Sequence, residues 1–140
     1  MTRQTFKKTL SANDTGESGG HQAGILVPKG DADFLSFLPE LGNAEKNPRA
    51  WIECKDPDGR TWDFCFIYYN NKHHDPGGTR DEYRITHMTK FLKSFGATKR
   101  DEFVITGEPG SSSYLIAVEK SPVTENKVAR IVLKGWRRVH

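Results

Sequence analysis

The chain has 140 residues, 35% of them hydrophobic, with 21 Lys and Arg against 18 Asp and Glu and a formal charge of +3. That length suits one domain, residues 1–140, burying most of its apolar surface in a single core, and the mild basicity permits a nucleic-acid partner without demanding one. No apolar run is long enough to span a bilayer, no segment near Met1 has the apolar stretch of a signal peptide, and two cysteines make no disulfide framework, so a cytoplasmic protein with no membrane partner is expected.

Thr5 to Leu10 reads as a first strand. Ser11 to Gln22 then carries no large apolar side chain and three glycines. A polar stretch this long between two strands exceeds the usual hairpin and is read as an arm, with a disordered loop as the alternative. Ala23 to Val27 is a short apolar strand closed by Pro28. Asp31 to Leu41 carries Phe34, Phe37, Leu38 and Leu41 at helical spacing, with Asp31 or Asp33 as its N-cap. Arg49 to Lys55 and Arg60 to Tyr69 are aromatic and β-branched and flank Asp56-Pro57-Asp58-Gly59, a hairpin signal. In a tight turn Cys54 would face Thr61, keeping its sulfur away from Cys65; both thiols are expected to be reduced and packed.

Asn70 to Gly78 is a second polar loop, feeding a strand from Thr79 to Thr86; together, 70–86, they form a second arm. Met88, Phe91, Leu92 and Phe95 follow at the i, i+3, i+4, i+7 positions of a helix, with Thr86 as N-cap and Gly96 just past the end. Glu102 to Thr106, Tyr114 to Glu119 and Val128 to Val139 are three more strands. Seven or eight short strands with two short helices predict a mainly β barrel or sandwich.

The strand from Thr79 to Thr86 holds the sharpest chemical pattern. Alternation puts Arg80, Glu82 and Arg84 on one face and Asp81, Tyr83 and Ile85 on the other. Arginine can donate two hydrogen bonds to guanine, and a carboxylate can accept one from the cytosine amino group. A solvated strand whose charges pair across its face would show the same alternation. Other chemistries find less support. There is no nucleophile elbow and no phosphate-binding loop. His73, His74, Asp75 and His87 match no common zinc spacing, so neither metal nor cofactor is expected. Glu53-Cys54-Lys55 matches half of a magnesium-dependent nuclease core. The second carboxylate such a site needs is missing from a strand end upstream, because Asp31 and Asp33 begin a helix. A small nuclease using Glu53 and Lys55 stays as the alternative function.

The two arms carry residue types useful on DNA. Asn13, Asp14, His21 and Gln22 in the first, and Arg80, Asp81, Glu82 and Arg84 in the second, are the candidate base readers. Lys29, Lys72, His73, Thr79, Tyr83 and Arg137 are the candidate phosphate contacts.

Ser11-Ala-Asn-Asp-Thr-Gly-x-x-Gly-Gly-His-Gln22, then an apolar strand ending at Pro28, then Tyr68-Tyr-Asn70 and Thr79-Arg-x-Glu-x-Arg-Ile-Thr86, resembles the N-terminal effector domain of EcoRII-type restriction endonucleases. The resemblance anchors to 10–86. Leu26 and Tyr83 depart from it, standing where a tyrosine and a lysine are found, and Gly78 lies near a further lysine position. The resemblance implies a pseudobarrel with two projecting arms that binds double-stranded DNA at 5′-CC(A/T)GG without cutting it. It also implies a C-terminal nuclease domain in the intact enzyme, and DNA-binding roles for His21, Arg80, Glu82 and Arg84.

Overall fold

Asp56 shows how local chemistry sets the sheet. Its Oδ1 accepts the amides of Asp58 at 2.8 Å and Arg60 at 3.0 Å, and its Oδ2 accepts the Trp62 indole N–H at 2.9 Å. With Gly59 at φ 84, this closes the loop between β3 (Arg49–Lys55) and β4 (Thr61–Tyr69). The loop is one residue looser than a tight turn. Cys54 therefore faces Trp62 rather than Thr61, and Cys65 faces Trp51. The two thiols are free and buried on opposite faces of the sheet; burial, with Asp63 and Glu53 nearby, pushes Cys54 up to about 12. Burial also pushes the Asp56 carboxyl up, but Trp62, the two amides and the Arg60 guanidinium outweigh it and hold the group below the usual aspartate value of 3.8. A carboxyl depressed by folding stabilises the protein above its unfolded pKa, and that contribution fades as acid titrates it. Asp56→Asn is therefore expected to flatten the loss of thermal stability below about pH 4, read as Tm against pH. An acid limb as steep as the parent's would refute this.

The computed structural model describes residues 3–16, 24–42, 44–121 and 135–139. The other strands are β1 (Gln4–Thr9), β2 (Ile25–Val27), β5 (Glu82–Thr86), β6 (Glu102–Gly107), β7 (Ser113–Glu119) and β8 (Arg137–Val139). They form one eight-stranded sheet in the order β2-β5-β4-β3-β7-β6-β1-β8, antiparallel except for β3 beside β7. The sheet curls into a mainly β pseudobarrel. Its inner face carries Phe6, Ile25, Val27, Ile52, Phe64, Phe66, Ile85, Phe103, Ile105, Tyr114 and Ile116, all buried.

A curled open sheet has two edges to satisfy. Here Trp136, just before edge strand β8, donates its indole N–H to the Leu26 carbonyl of the other edge, β2, at 3.1 Å. Its ring stacks on Phe34 at 4.1 Å and meets Phe103 edge-on at 5.7 Å. Phe34 belongs to α2 (Ala32–Phe37), which packs with Phe37 against Phe6 and Tyr114. α2 is shorter than the expected Asp31–Leu41, because Leu38 precedes Pro39 and is extended at ψ 164. Asp31 stands at the N-cap but makes no cap bond. Its carboxylate instead accepts the Trp136 backbone amide at 3.0 Å, fixing the closing residue.

Two further expectations are corrected. The first arm opens with a helical turn, α1 (Ala12–Thr15), so the described residues hold three short α-helices rather than two. Ser11 and Asp14 cap it reciprocally, in a Ser-x-x-Asp box. Thr86 does not cap the next helix. It ends β5, donating to the Cys65 carbonyl at 3.3 Å, and α3 (Thr89–Ser94) starts after Met88. Its Phe91 and Leu92 are buried, as their spacing predicted. The last strand is seen as β8 alone; residues 128–134 lie outside the described residues.

Candidate nucleic-acid interface

On β5 the inner face is Tyr83 and Ile85. Ile85 is buried, and the Tyr83 ring stacks on Tyr68 at 4.3 Å and on Phe66 at 5.7 Å. Glu82 and Arg84 thus face outward, where Arg80, two residues before the strand, joins them. Glu82 Oε1 accepts from Arg80 Nη2 at 2.8 Å and Nε at 3.0 Å, and its Oε2 accepts from Arg84 Nη2 at 3.1 Å. Burial pushes the Glu82 carboxyl up, but the hydrogen bonds and charges of the two arginines hold it below the usual glutamate range, so it is a carboxylate at neutral pH.

Each arginine is held by a second group. The Arg80 guanidinium lies 3.7 Å from the centre of the Tyr69 ring, on the strand position paired with Glu82. Arg84 Nη1 donates to the Gly24 carbonyl at 3.0 Å, at the foot of the first arm. Gly24 has φ 90, and a Cβ there would meet the Ile85 carbonyl oxygen at 2.4 Å, so only glycine lets the arm's return pass so close to β5. Asp14, Gly24, Tyr69, Arg80, Thr86 and His87 line one open cleft between the feet of the two arms.

The second arm is a folded-back clamp. Asn71–His73 form a 3-10 turn, and its backbone returns to Arg80: Asn71 Oδ1 accepts the Arg80 amide at 2.7 Å, and the Lys72 amide donates to the Arg80 carbonyl at 3.0 Å. A Cβ on Gly78 would sit 2.2 Å from the Asn71 carbonyl oxygen. Gly78→Ala must therefore push the clamp apart. It is expected to lower stability by about 1–3 kcal/mol, the cost of overpacking, in a thermal melt. An unchanged Tm would contradict the clamp.

Lys72, His73 and Thr79 are exposed on this turn. Asp81 faces away from Glu82, into a brace behind the arm. It accepts from Tyr68 Oη, from Lys29 Nζ at 2.7 Å, and lies 3.4 Å from His73 Nε2. Those partners, Lys29 and Tyr68 foremost, hold Asp81 well below the usual range, while burial and Asp81 push Tyr68 up to about 12. Lys29, Asp81 and Tyr83 thus support the arm from behind. In the first arm Asn13 is exposed, whereas Asp14 Oδ2 takes Lys8 Nζ at 2.6 Å and the Ser11 amide at 3.0 Å, the Lys8–Asp14 pair being buried. Arg137 lies on β8, bonded to Glu102 and to Thr9 Oγ1. His21 and Gln22 lie outside the described residues.

Tyr69, Asn71 and the Gly24 carbonyl are members of the site that sequence reasoning missed. Asn71 was legible as an asparagine beside a glycine-rich turn. A backbone carbonyl and a ring beneath a guanidinium leave no pattern. Glu53 and Lys55 of the nuclease alternative face outward on β3, lining a separate cleft with Arg3 and Glu108. Among the described residues no group of three His, Cys, Asp or Glu side chains could hold a metal ion.

Comparison with known proteins gives a match over residues 2–104 to the family described as restriction endonuclease EcoRII, N-terminal. The type II restriction enzyme EcoRII of Escherichia coli is 40% identical over 105 residues, covering 66% of this chain and 24% of the relative. The chain thus spans about a quarter of that relative's length.

Proposed function

Because the chain belongs to the family of EcoRII N-terminal domains of restriction endonucleases, we propose that it is a single recognition domain that binds double-stranded DNA sequence-specifically, at 5′-CC(A/T)GG. Cleavage belongs to a C-terminal nuclease domain of the intact enzyme and not to these residues. The carrying observation is the outward Arg80–Glu82–Arg84 triad, whose Arg80 lines the inter-arm cleft.

The spacing supports this reading. Outward residues of a strand repeat every ~6.7 Å, close to two base-pair steps at roughly 3.4 Å each. A strand lying along the major groove would therefore spread Arg80, Glu82 and Arg84 over about five base pairs. The arginines address guanines and the carboxylate a cytosine amino group, with Asn13, His21 and Gln22 reaching further bases from the other arm. In the free chain Glu82 holds both guanidinium groups in place. Each guanidinium has five N–H donors, so neither is exhausted by that pairing. Lys72, His73 and Thr79 contact phosphates from the exposed turn. Lys29, Asp81 and Tyr83 serve as the brace, Asp14 secures the first arm, and Arg137 lies apart on the β8 edge.

A gel shift at moderate salt comparing a CC(A/T)GG duplex with a scrambled one tests this directly. Preference for the first is expected, and equal retardation would refute sequence-specific reading. Incubation with plasmid and magnesium should leave the plasmid intact; nicking abolished by Glu53→Ala would instead establish the nuclease reading.

A further inference from the structure

The outward face that carries the triad continues across two more strands. Arg84 pairs across β5 and β4 with Ile67, and Ile67 in turn with Arg49 of β3; Thr86 pairs with Cys65, and Cys65 with Trp51. Ile67 and Cys65 are buried although they point outward, whereas Arg49 and Trp51 are exposed, Trp51 at 53%. β7 pairs with β3 only from Glu53 to Lys55, and among the described residues no strand pairs with that edge beside Arg49 and Trp51.

Both residues carry donors without an acceptor among the described residues. Trp62 and Trp136 give their indole N–H groups to Asp56 and to the Leu26 carbonyl. Trp51 has no hydrogen-bond acceptor among the described residues, and an indole N–H can only donate. Arg49 likewise has no carboxylate partner among the described residues, while Arg80 and Arg84 share Glu82. His87 braces the indole, its ring 4.9 Å away at 62°. It does so from a left-handed backbone, φ 68, that a non-glycine residue adopts only when its surroundings impose it. Thr86 Oγ1 lies 2.9 Å from His87 Nδ1 and fixes the ring. Glu53 and Asp63, opposite each other in the next row, bound the strip with negative charge.

We propose that Arg49 and Trp51, with His87 as positioning residue, form a phosphate-contacting surface that extends the DNA footprint from the triad across β4 to β3. This rests on the DNA-recognition reading and adds to it a sequence-independent contact. An exposed cation and an exposed N–H donor on one face, beside the base-reading strand and limited by carboxylates on one side, suit the sugar–phosphate backbone rather than base edges.

The test is fluorescence anisotropy of the CC(A/T)GG and scrambled duplexes over a salt series, with Arg49→Gln, Trp51→Phe and His87→Ala. Each variant is checked by thermal melting. Arg49→Gln is expected to weaken both duplexes equally, on the order of 5- to 10-fold, and to reduce the slope of log K against log salt by about one. Trp51→Phe keeps the ring and loses the donor, and should weaken both duplexes by a smaller common factor. His87→Ala should follow Trp51→Phe. Full affinity in Arg49→Gln and Trp51→Phe would overturn the proposal, as would a loss confined to the CC(A/T)GG duplex. Failure of the parent protein to bind either duplex would overturn the recognition reading, and this proposal with it.

Discussion

Arg84→Ala is expected to weaken binding to the CC(A/T)GG duplex by about 1–3 kcal/mol while leaving the scrambled duplex nearly unchanged. Arg84 does two things that alanine cannot. It supplies the fork of donors that suits a guanine edge, and it ties the feet of the two arms together through the Gly24 carbonyl and Glu82 Oε2. Its loss would leave Glu82 held from one side by Arg80 alone, which stays over Tyr69. Arg84→Lys separates the fork from the charge. Lysine keeps the cation but is a point donor on a flexible stem, so it should recover little of the discrimination. Competition between the two duplexes, measured by anisotropy, decides the matter. Equal losses on both would make Arg84 a phosphate or scaffold residue and remove the base-reading role.

Trp136→Ala is expected to cost about 3–5 kcal/mol of folding stability, the range for truncating a large buried aromatic side chain. The ring fills the space between Phe34 of α2 and Phe103 of β6, and its N–H is the polar link from the β8 end of the sheet to β2. The substitution opens a cavity and leaves the Leu26 carbonyl without that donor. Because β2 pairs with β5 at Leu26 and Arg84, the loosened edge lies beside the triad. The variant should therefore lose DNA discrimination at temperatures well below its own midpoint. Trp136→Phe keeps most of the volume and loses the hydrogen bond, so it should fall between the two. Urea unfolding of the three proteins measures this, and an alanine variant as stable as the parent would rule out Trp136 as the closing residue.

The strands were legible because each carries a local pattern: the Asp-Pro-Asp-Gly turn, the alternation from Thr79 to Thr86, and the aromatic runs of β3 and β4. The spacing of Phe91 and Leu92 set the third helix in the same way. These signals act over two to seven residues, the range at which backbone geometry converts sequence into facing. They determined that Tyr83 and Ile85 lie opposite Glu82 and Arg84.

What they could not determine depends on residues far apart in the chain. Thr86 has the composition of an N-cap, but its hydroxyl finds the Cys65 carbonyl across the sheet. Asp81 carries no local signal of its partners, yet Tyr68 and Lys29, from two other segments, meet it behind the arm. Arg49 and Trp51 carried no motif at all; β4 brings them to the face that Arg84 occupies, because each strand pairing transmits the side of the sheet to its neighbour. The triad's alternation was thus determined by the sequence, since it is local. Its supports in Gly24, Tyr69 and Asn71, and the edge closed by Trp136, were decided by tertiary structure, since hydrogen bonds and ring contacts answer to distance in space and not to distance along the chain.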